Sequence, residues 1–304
     1  MTLLLLGGTT EAKQIAKELA EHVYPFVYSE RGLLRNTVET EKSTDSEKNY
    51  PIISGGFSQF SNTKNNNNIN TDNNTNSGNN SVDGLINYIR DNNISFIIDA
   101  THPYANNISH HASDASKTAG IRYIRYQRPS WEATTEDNWI QVKDDTEIVD
   151  KVSAYSRPFF TIGQSVETLI TLKKDQTPWL IRSATKLLAN DPSLKERQDL
   201  TFIQAIGHFN IDEERALLTK YKIDVIISKL SGSHKTVAKI IAARELNIPV
   251  IMLERPTPAP ADKIYDNINH CLADFLQRET GSSLQQAINK LVTRATDKPA
   301  RKTQ

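Results

Sequence analysis

The sequence predicts an α/β protein built from two doubly wound parallel-sheet domains with a cleft between them. Three observations carry this expectation. Short, continuously apolar runs rich in Leu, Ile, Val and Phe alternate with segments of helical period, the pattern of a parallel sheet covered on both faces. The alternation restarts after the polar stretch Glu132–Asn138. Clusters of glycine, hydroxyl and charged residues follow the apolar runs, where open α/β sheets place their ligands.

In order, "TLLLL" leads to a helix over Thr10–Glu21, then come the strands "PFVYS" and "PIIS", a helix over Val82–Asp91, "SFIIDA", a helix from Tyr104 to Ala119, and "IRYIRY". The second set begins with "WIQV" and a helix over Asp145–Tyr155. It continues with "PFFTIG" and a helix from Ser165, "WLIRSA" and a helical region after Asp191, and "LTFIQAIG" and a helix over Asp212–Tyr221. "IDVIIS", a helix over Lys235–Leu246 and "IPVIML" complete it. The domain boundaries expected from this are 1–131, 138–262 and a helical, partly disordered tail over 263–304. The Asn-rich stretch at about 61–81 has almost nothing apolar to bury and is expected to be a disordered loop.

Composition removes several function classes. Lys+Arg and Asp+Glu both number 36, so no global field draws the chain to nucleic acid or to a membrane surface. The run Leu3–Leu6 is too short for a signal peptide or a membrane span. The single cysteine, Cys271, excludes an internal disulfide framework and fits a reducing compartment, so a cytoplasmic setting is expected. The expected state is a monomer.

The polar clusters divide into turns and candidate chemistry. In "LLLLGGTTEA" a strand runs into Gly7, Gly8, Thr9 and Thr10 at a helix start, an arrangement suited to phosphate or carboxylate. It lacks the full GxGxxG spacing, and a tight turn capped by Thr9 or Thr10 accounts for the same residues. In "YSERGLLRN", after the second strand, Arg31 or Arg35 is placed to meet a ribose 2′-phosphate; a solvated charged loop is the alternative. In "DATHPYA", capping by Thr101 or His102 uses one polar residue and leaves Asp99, His102 and Tyr104 as catalytic candidates. His110 and His111 are adjacent, point to different helix faces and are expected to be solvated, so no metal site is expected. Arg128 and Trp131 in "RPSW", Thr161 and Gly163 in "TIGQS", Arg182 and Lys186 in "IRSATK", and Lys229, Ser231 and His234 in "SKLSGSH" also follow strands. Together they read as the walls of a polar cleft.

"LLLLGGTTEA", "SGGF", "DATHPYA" leading to "YIRYQRPSW", "FFTIG", and "VIISKLSGS" followed by "KIIAARELNIPVIMLERP" resemble, in order and over most of the chain, the precorrin-6A reductase family of cobalamin biosynthesis. The chain departs from the family pattern at Gln164, in "SERGLLRN", and where Phe57 runs into the Asn-rich tract. The resemblance implies two Rossmann-like domains and nicotinamide-dependent reduction of one double bond in precorrin-6A, or its cobalt-bearing counterpart, to precorrin-6B. NADPH is the expected hydride donor, with NADH as the alternative. On this reading Lys229, Asp99, His102 and Tyr104 are catalytic. Arg128, Trp131, Arg182, Lys186, Ser231 and His234 bind the polyanionic tetrapyrrole. Gly7, Gly8, Thr9, Thr10, Arg31, Thr161 and Gly163 hold the cofactor. Two rivals are another extended-Rossmann nicotinamide-dependent reductase or epimerase, and a non-catalytic nucleotide-sensing module.

Overall fold

The structure, a computed structural model, describes residues 2–30, 50–61, 77–184, 194 and 197–279. It divides into two compact units. The first takes the described residues up to 30, those from 50 to Arg128 and those from Thr257 onward; the second spans Pro129–Pro256.

The first unit runs β1 (Thr2–Leu6), α1 (Thr10–Glu21), β2 (Phe26–Glu30), β3 (Ile52–Ser54), α2 (Ser77–Asp91), β4 (Ile94–Asp99), α3 (Asn106–Ala119) and β5 (Arg122–Tyr126). The second contains β6 (Trp139–Val142), α4 (Asp145–Val152), β7 (Pro158–Phe160), α5 (Val166–Leu172), β8 (Trp179–Ser183), β9 (Leu200–Gln204), α6 (Ile211–Lys220), β10 (Val225–Lys229), α7 (Ala238–Glu245) and β11 (Val250–Leu253). The chain then returns to the first unit as β12 (Lys263–Tyr265) and α8 (Ile268–Glu279).

Each unit holds one six-stranded sheet, ordered β12-β5-β4-β1-β2-β3 in the first and β6-β11-β10-β7-β8-β9 in the second. Every pairing is parallel. Both orders follow the doubly wound pattern 3-2-1-4-5-6. The sixth place comes from an unexpected source in each: β6, the first strand after the chain leaves the first unit, and β12, the first strand after it returns. The fold class expected from the sequence holds.

Residue pattern explains the layers. In β1 successive side chains alternate between faces, so Leu3 and Leu5 enter a core with Ile15 and Leu19 of α1 and Leu272 and Phe275 of α8. Leu4 and Leu6 enter a second core with Leu85 and Ile89 of α2 and Ala112 and Ala115 of α3. All four leucines are fully or almost fully buried, which is why the run is apolar without a break. Helix α3 meets the sheet through small residues, Ser109, Ala112, Ser113, Ala115 and Ser116, all buried, which let its backbone lie close. In the second unit Phe159, Ile226 and Met252 pack against α6 and α7 through Leu218, Ile240 and Ala243.

Several boundaries differ from expectation. Helix α2 begins at Ser77, so residues 77–81 are helical although the composition pointed to a loop; the rest of the Asn-rich stretch from residue 62 to 76 lies outside the described residues. Helix α3 starts at Asn106 because His102–Ala105 closes a turn first, with the Ala105 N–H donating to the His102 carbonyl at 2.8 Å. Helix α7 starts at Ala238, after a turn in which the Thr236 N–H donates to the Ser233 carbonyl. Most of the helical region expected after Asp191 lies outside the described residues. Among the described residues no helix is long and apolar enough to cross a membrane.

Candidate active site

In each sheet the direction of winding reverses between two neighbouring strands, β1 and β4 in the first unit and β7 and β10 in the second. Ligands of doubly wound sheets sit beyond the carboxyl ends of strands at such points.

In the first unit, β1 ends at Gly7–Gly8. The Gly7 N–H donates to the Ser29 carbonyl at 2.8 Å, and a Cβ at Gly7 would fall on the Tyr28 ring. The Gly8 N–H donates to the Tyr28 hydroxyl at 2.9 Å. Gly8 lies at φ +97°, in the left-handed region, with nothing within 4 Å of where a side chain would begin. Thr9 caps α1, its hydroxyl accepting from the Ala12 N–H at 3.0 Å and donating to the Ala100 carbonyl at 2.7 Å. Thr9 is therefore a structural tie between β1 and β4, and Thr10 is exposed in the first turn. In the spacing Gly7-x-Thr9-x-x-Ala12, the last position is fully buried and plays the close-packing part that a third glycine or alanine plays in dinucleotide folds.

This turn opens on a cavity of about 690 Å³ lined by residues that include Gly7, Gly8, Glu30, Gly55, Thr101, His102 and Tyr104. Of the "DATHPYA" candidates, His102 and Tyr104 line it, their rings 5.7 Å apart. Asp99 does not. It is fully buried, accepting from the Thr101 N–H at 2.9 Å, the Thr101 hydroxyl at 2.6 Å and the Tyr123 hydroxyl at 2.8 Å, with Arg125 Nε 3.7 Å away. These contacts tie the carboxylate expected to be catalytic to the turn that leads into His102. Burial, then the Asp99 charge, pushes the Tyr123 phenol far above its ordinary value, so it stays a donor. His110 and His111 are half-buried rather than solvated; His111 lines the cavity, and burial lowers its pKa toward the neutral ring.

Arg128, expected to bind the tetrapyrrole, lies against the first turn of α1. It is buried, and its Nη1 donates to Glu11 at 2.8 Å, fastening the end of the β5 segment to the first turn of α1. Arg31 and Lys186 lie outside the described residues.

At the second switch point, the Thr161 hydroxyl donates to the Ile227 carbonyl at 2.9 Å, and Gly163 turns at φ +64°. The Lys229 ammonium donates to Ser165 at 2.6 Å. Burial pushes Lys229 below the ordinary lysine value while the Asp145 charge counteracts it, and burial raises Asp145 against the pull of Lys229. The "SKLSGS" loop is braced by Arg255, which donates to the carbonyls of Leu230 at 2.8 Å, Ser231 at 3.0 Å and Pro129 at 3.1 Å. A Cβ at Gly232 would meet the Pro129 carbonyl. Ser231 is buried within this brace, and His234 is exposed. Trp131 packs against the α6 and α7 core with Lys239 Nζ 5.3 Å from its ring. Arg182, expected to bind a substrate carboxylate, lines a cavity of about 290 Å³ in the second unit. It pairs through two nitrogens with buried Glu214, at 2.8 and 3.1 Å, and stacks 3.9 Å from the Phe209 ring. Thr161 and Gly163, expected beside Gly7 and Gly8, belong to the other unit.

Sequence reasoning missed Tyr28, Glu30, Ser165, Asp145 and Glu214. Tyr28 and Glu30 were within reach, since both lie at the carboxyl end of a strand next to β1.

The sequence model of the family described as "Precorrin-6x reductase CbiJ/CobK" matches residues 56–275. The chain belongs to this family. It is 34% identical over 284 residues to the "Precorrin-6A reductase" of Sinorhizobium sp, covering 89% of this chain and 94% of that one. It is 30% identical over 179 residues to the "Cobalt-precorrin-6A reductase" of Priestia megaterium, covering 57% and 69%. A solved structure, "CobK precorrin-6A reductase", superposes with a TM-score of 0.69 at 27% identity, covering 92% of this chain and 98% of that one. Membership in the CbiJ/CobK family makes the chain an oxidoreductase of cobalamin biosynthesis that works on a tetrapyrrole, as its motifs implied.

Proposed function

We propose that this chain reduces precorrin-6A with hydride from a nicotinamide dinucleotide seated over the Gly7–Gly8 turn of the first unit, while the β7/β10 switch point of the second unit serves the macrocycle. The observation that carries the cofactor placement is Gly8: a left-handed, side-chain-free position at the β1/β4 switch, opening on a cavity of about 690 Å³. A backbone turn of that kind before a helix N-terminus fits a pyrophosphate.

When bound, the reduced nicotinamide supplies hydride to one double bond of the ring system. The chain's own residues do the rest. Tyr28 and Thr9 hold the turn in shape, and Asp99 fixes the loop that carries His102 and Tyr104. Lys229, half-buried and oriented by Ser165, faces charge that builds on the macrocycle as hydride arrives and delivers or orders the proton that completes the reduction. The buried thiol of Cys271 is consistent with a cytoplasmic setting.

The test is a titration of the purified protein with reduced nicotinamide dinucleotides, read by cofactor fluorescence, beside the Gly8→Val variant, followed by loss of nicotinamide absorbance on adding precorrin-6A. A β-branched residue is strained at positive φ and fills the approach. Gly8→Val is expected to weaken nucleotide binding at least about tenfold while the fold is kept. Unchanged binding would remove the cofactor from this turn.

A further inference from the structure

We propose that Arg255 is a positioning residue for the reduction: its guanidinium sets the backbone that follows Lys229, and through it the aim of the Lys229 ammonium. This rests on the role given to Lys229 above and deepens it.

The need for such a residue arises where the sheet ends. Strand β10 pairs with β11 as far as Lys229 opposite Leu253, and the Leu230 N–H still donates to the Leu253 carbonyl at 3.0 Å. Pairing of the two strands stops there, yet Lys229 must hold one direction to keep its 2.6 Å bond to Ser165. Arg255, just past the end of β11, takes over. Its Nε donates to the Leu230 carbonyl at 2.8 Å and its Nη2 to the Ser231 carbonyl at 3.0 Å. The same Nη2 donates to the Pro129 carbonyl at 3.1 Å, so the loop is also tied to the residue that opens the second unit.

The loop fits closely on its other side too. Gly232 is buried at φ +72°, and a Cβ there would run into the Pro129 carbonyl and lie 2.7 Å from Arg255 Nη2. The chain from Leu230 to Gly232 is therefore held between one guanidinium and one backbone carbonyl. A planar guanidinium addresses several carbonyls from fixed directions, whereas a lysine ammonium is a point donor on a flexible stem. Hydrogen bonds from a charged donor are also about twice as strong as neutral ones. Precision matters here, because misplacing a reacting group by about 1 Å can cost about a hundredfold in rate.

Steady-state kinetics with precorrin-6A and a reduced nicotinamide dinucleotide test this on the full chain, with thermal melting to confirm the fold. Arg255→Ala is expected to lower kcat about fivefold to fiftyfold while KM for precorrin-6A stays within about twofold. Arg255→Lys keeps the charge and loses the fork, so it is expected to recover only part of that loss. Gly232→Ala displaces the loop with Arg255 in place and is expected to lower kcat in the same way. In the Lys229→Ala background, adding Arg255→Ala is expected to change kcat by less than about twofold, because the cation it aims is gone. Effects that multiply, a wild-type kcat in Arg255→Ala, or full recovery in Arg255→Lys would overturn the proposal. Should Arg255→Ala fail to fold, Gly232→Ala alone and combined with Lys229→Ala carries the same comparison. A wild-type kcat in Lys229→Ala would instead defeat the role of Lys229 itself, a distinct result from a Lys229 effect that Arg255 does not share.

Discussion

The Lys229 ammonium donates a 2.6 Å hydrogen bond to the Ser165 hydroxyl, joining the carboxyl end of β10 to the turn that follows β7. These two segments flank the second switch point, so the bond aims a partly desolvated cation where a ligand of the second unit would lie. On the proposed role of Lys229 in meeting charge that builds with hydride transfer, Lys229→Ala is expected to lower kcat by roughly tenfold to a thousandfold with a smaller change in KM. Ser165→Ala keeps the cation and loses its aim, so a drop of about threefold to tenfold is expected, with recovery in Ser165→Thr. Steady-state kinetics with precorrin-6A decide this; a rise in KM alone for Lys229→Ala would make the residue a carboxylate holder.

Asp99 is expected to govern stability more than chemistry. Removing its carboxylate in Asp99→Ala takes away the short acceptor of the Thr101 and Tyr123 hydroxyls, which keep only longer contacts to Ser109, and leaves Arg125 buried without its counter-charge, at a cost of about 3–5 kcal/mol. Asp99→Asn keeps an acceptor and is expected to be milder. Urea denaturation measures both, and a fully stable but inactive Asp99→Ala would restore a direct catalytic part.

Arg128 and Glu11 are expected to be energetically coupled. Their bond is partly buried, with side-chain exposures of 9% and 18%, so it is screened less than a surface pair. A double-mutant cycle with Arg128→Ala and Glu11→Ala is expected to give a coupling of roughly 1–2 kcal/mol in unfolding free energy. Macrocycle KM should stay near wild type in Arg128→Ala. A large rise in KM with no coupling would show that Arg128 meets substrate.

Lys239 predicts a pH dependence. Burial, reinforced by the Arg182 charge and opposed by Glu214, lowers its pKa to about 7 from 10.5. Between those values the unfolded chain holds a proton that the folded chain has released, so this residue makes stability rise as pH increases through that window. Below about pH 7 both states are protonated and the penalty for a buried ammonium is complete. Lys239→Met is expected to stabilise the protein near pH 7, by up to a few kcal/mol, and to flatten the rise toward pH 10. Denaturant midpoints at pH 7, 8.5 and 10 check this, and parallel curves for the two proteins would contradict it.

Much of the fold was legible because a parallel sheet covered on both faces writes itself into the chain locally. Leu3–Leu6, "SFIID" and "DVIIS" are apolar at consecutive positions since alternate residues enter two different cores, and the intervening helices repeat at their own period. The turns that carry Gly7–Gly8, His102–Tyr104 and Lys229 were legible for the same reason, as polar residues at strand ends. Tertiary structure decided which strands complete each sheet: β6 and β12 are added from distant parts of the chain, and three residues such as Lys263–Tyr265 hold no signal of their partner. It also decided what each polar residue faces. Asp99 and His102 stand three positions apart in one motif, yet one is buried against Tyr123 on the neighbouring strand and the other lines a cavity. Arg128 and Arg182 read alike as cleft cations until Glu11 and Glu214, on helices remote in sequence, are seen to neutralise them. Residue type and local spacing set where a charge can be; the partner that meets it is a matter of proximity, which exists only once the layers have packed.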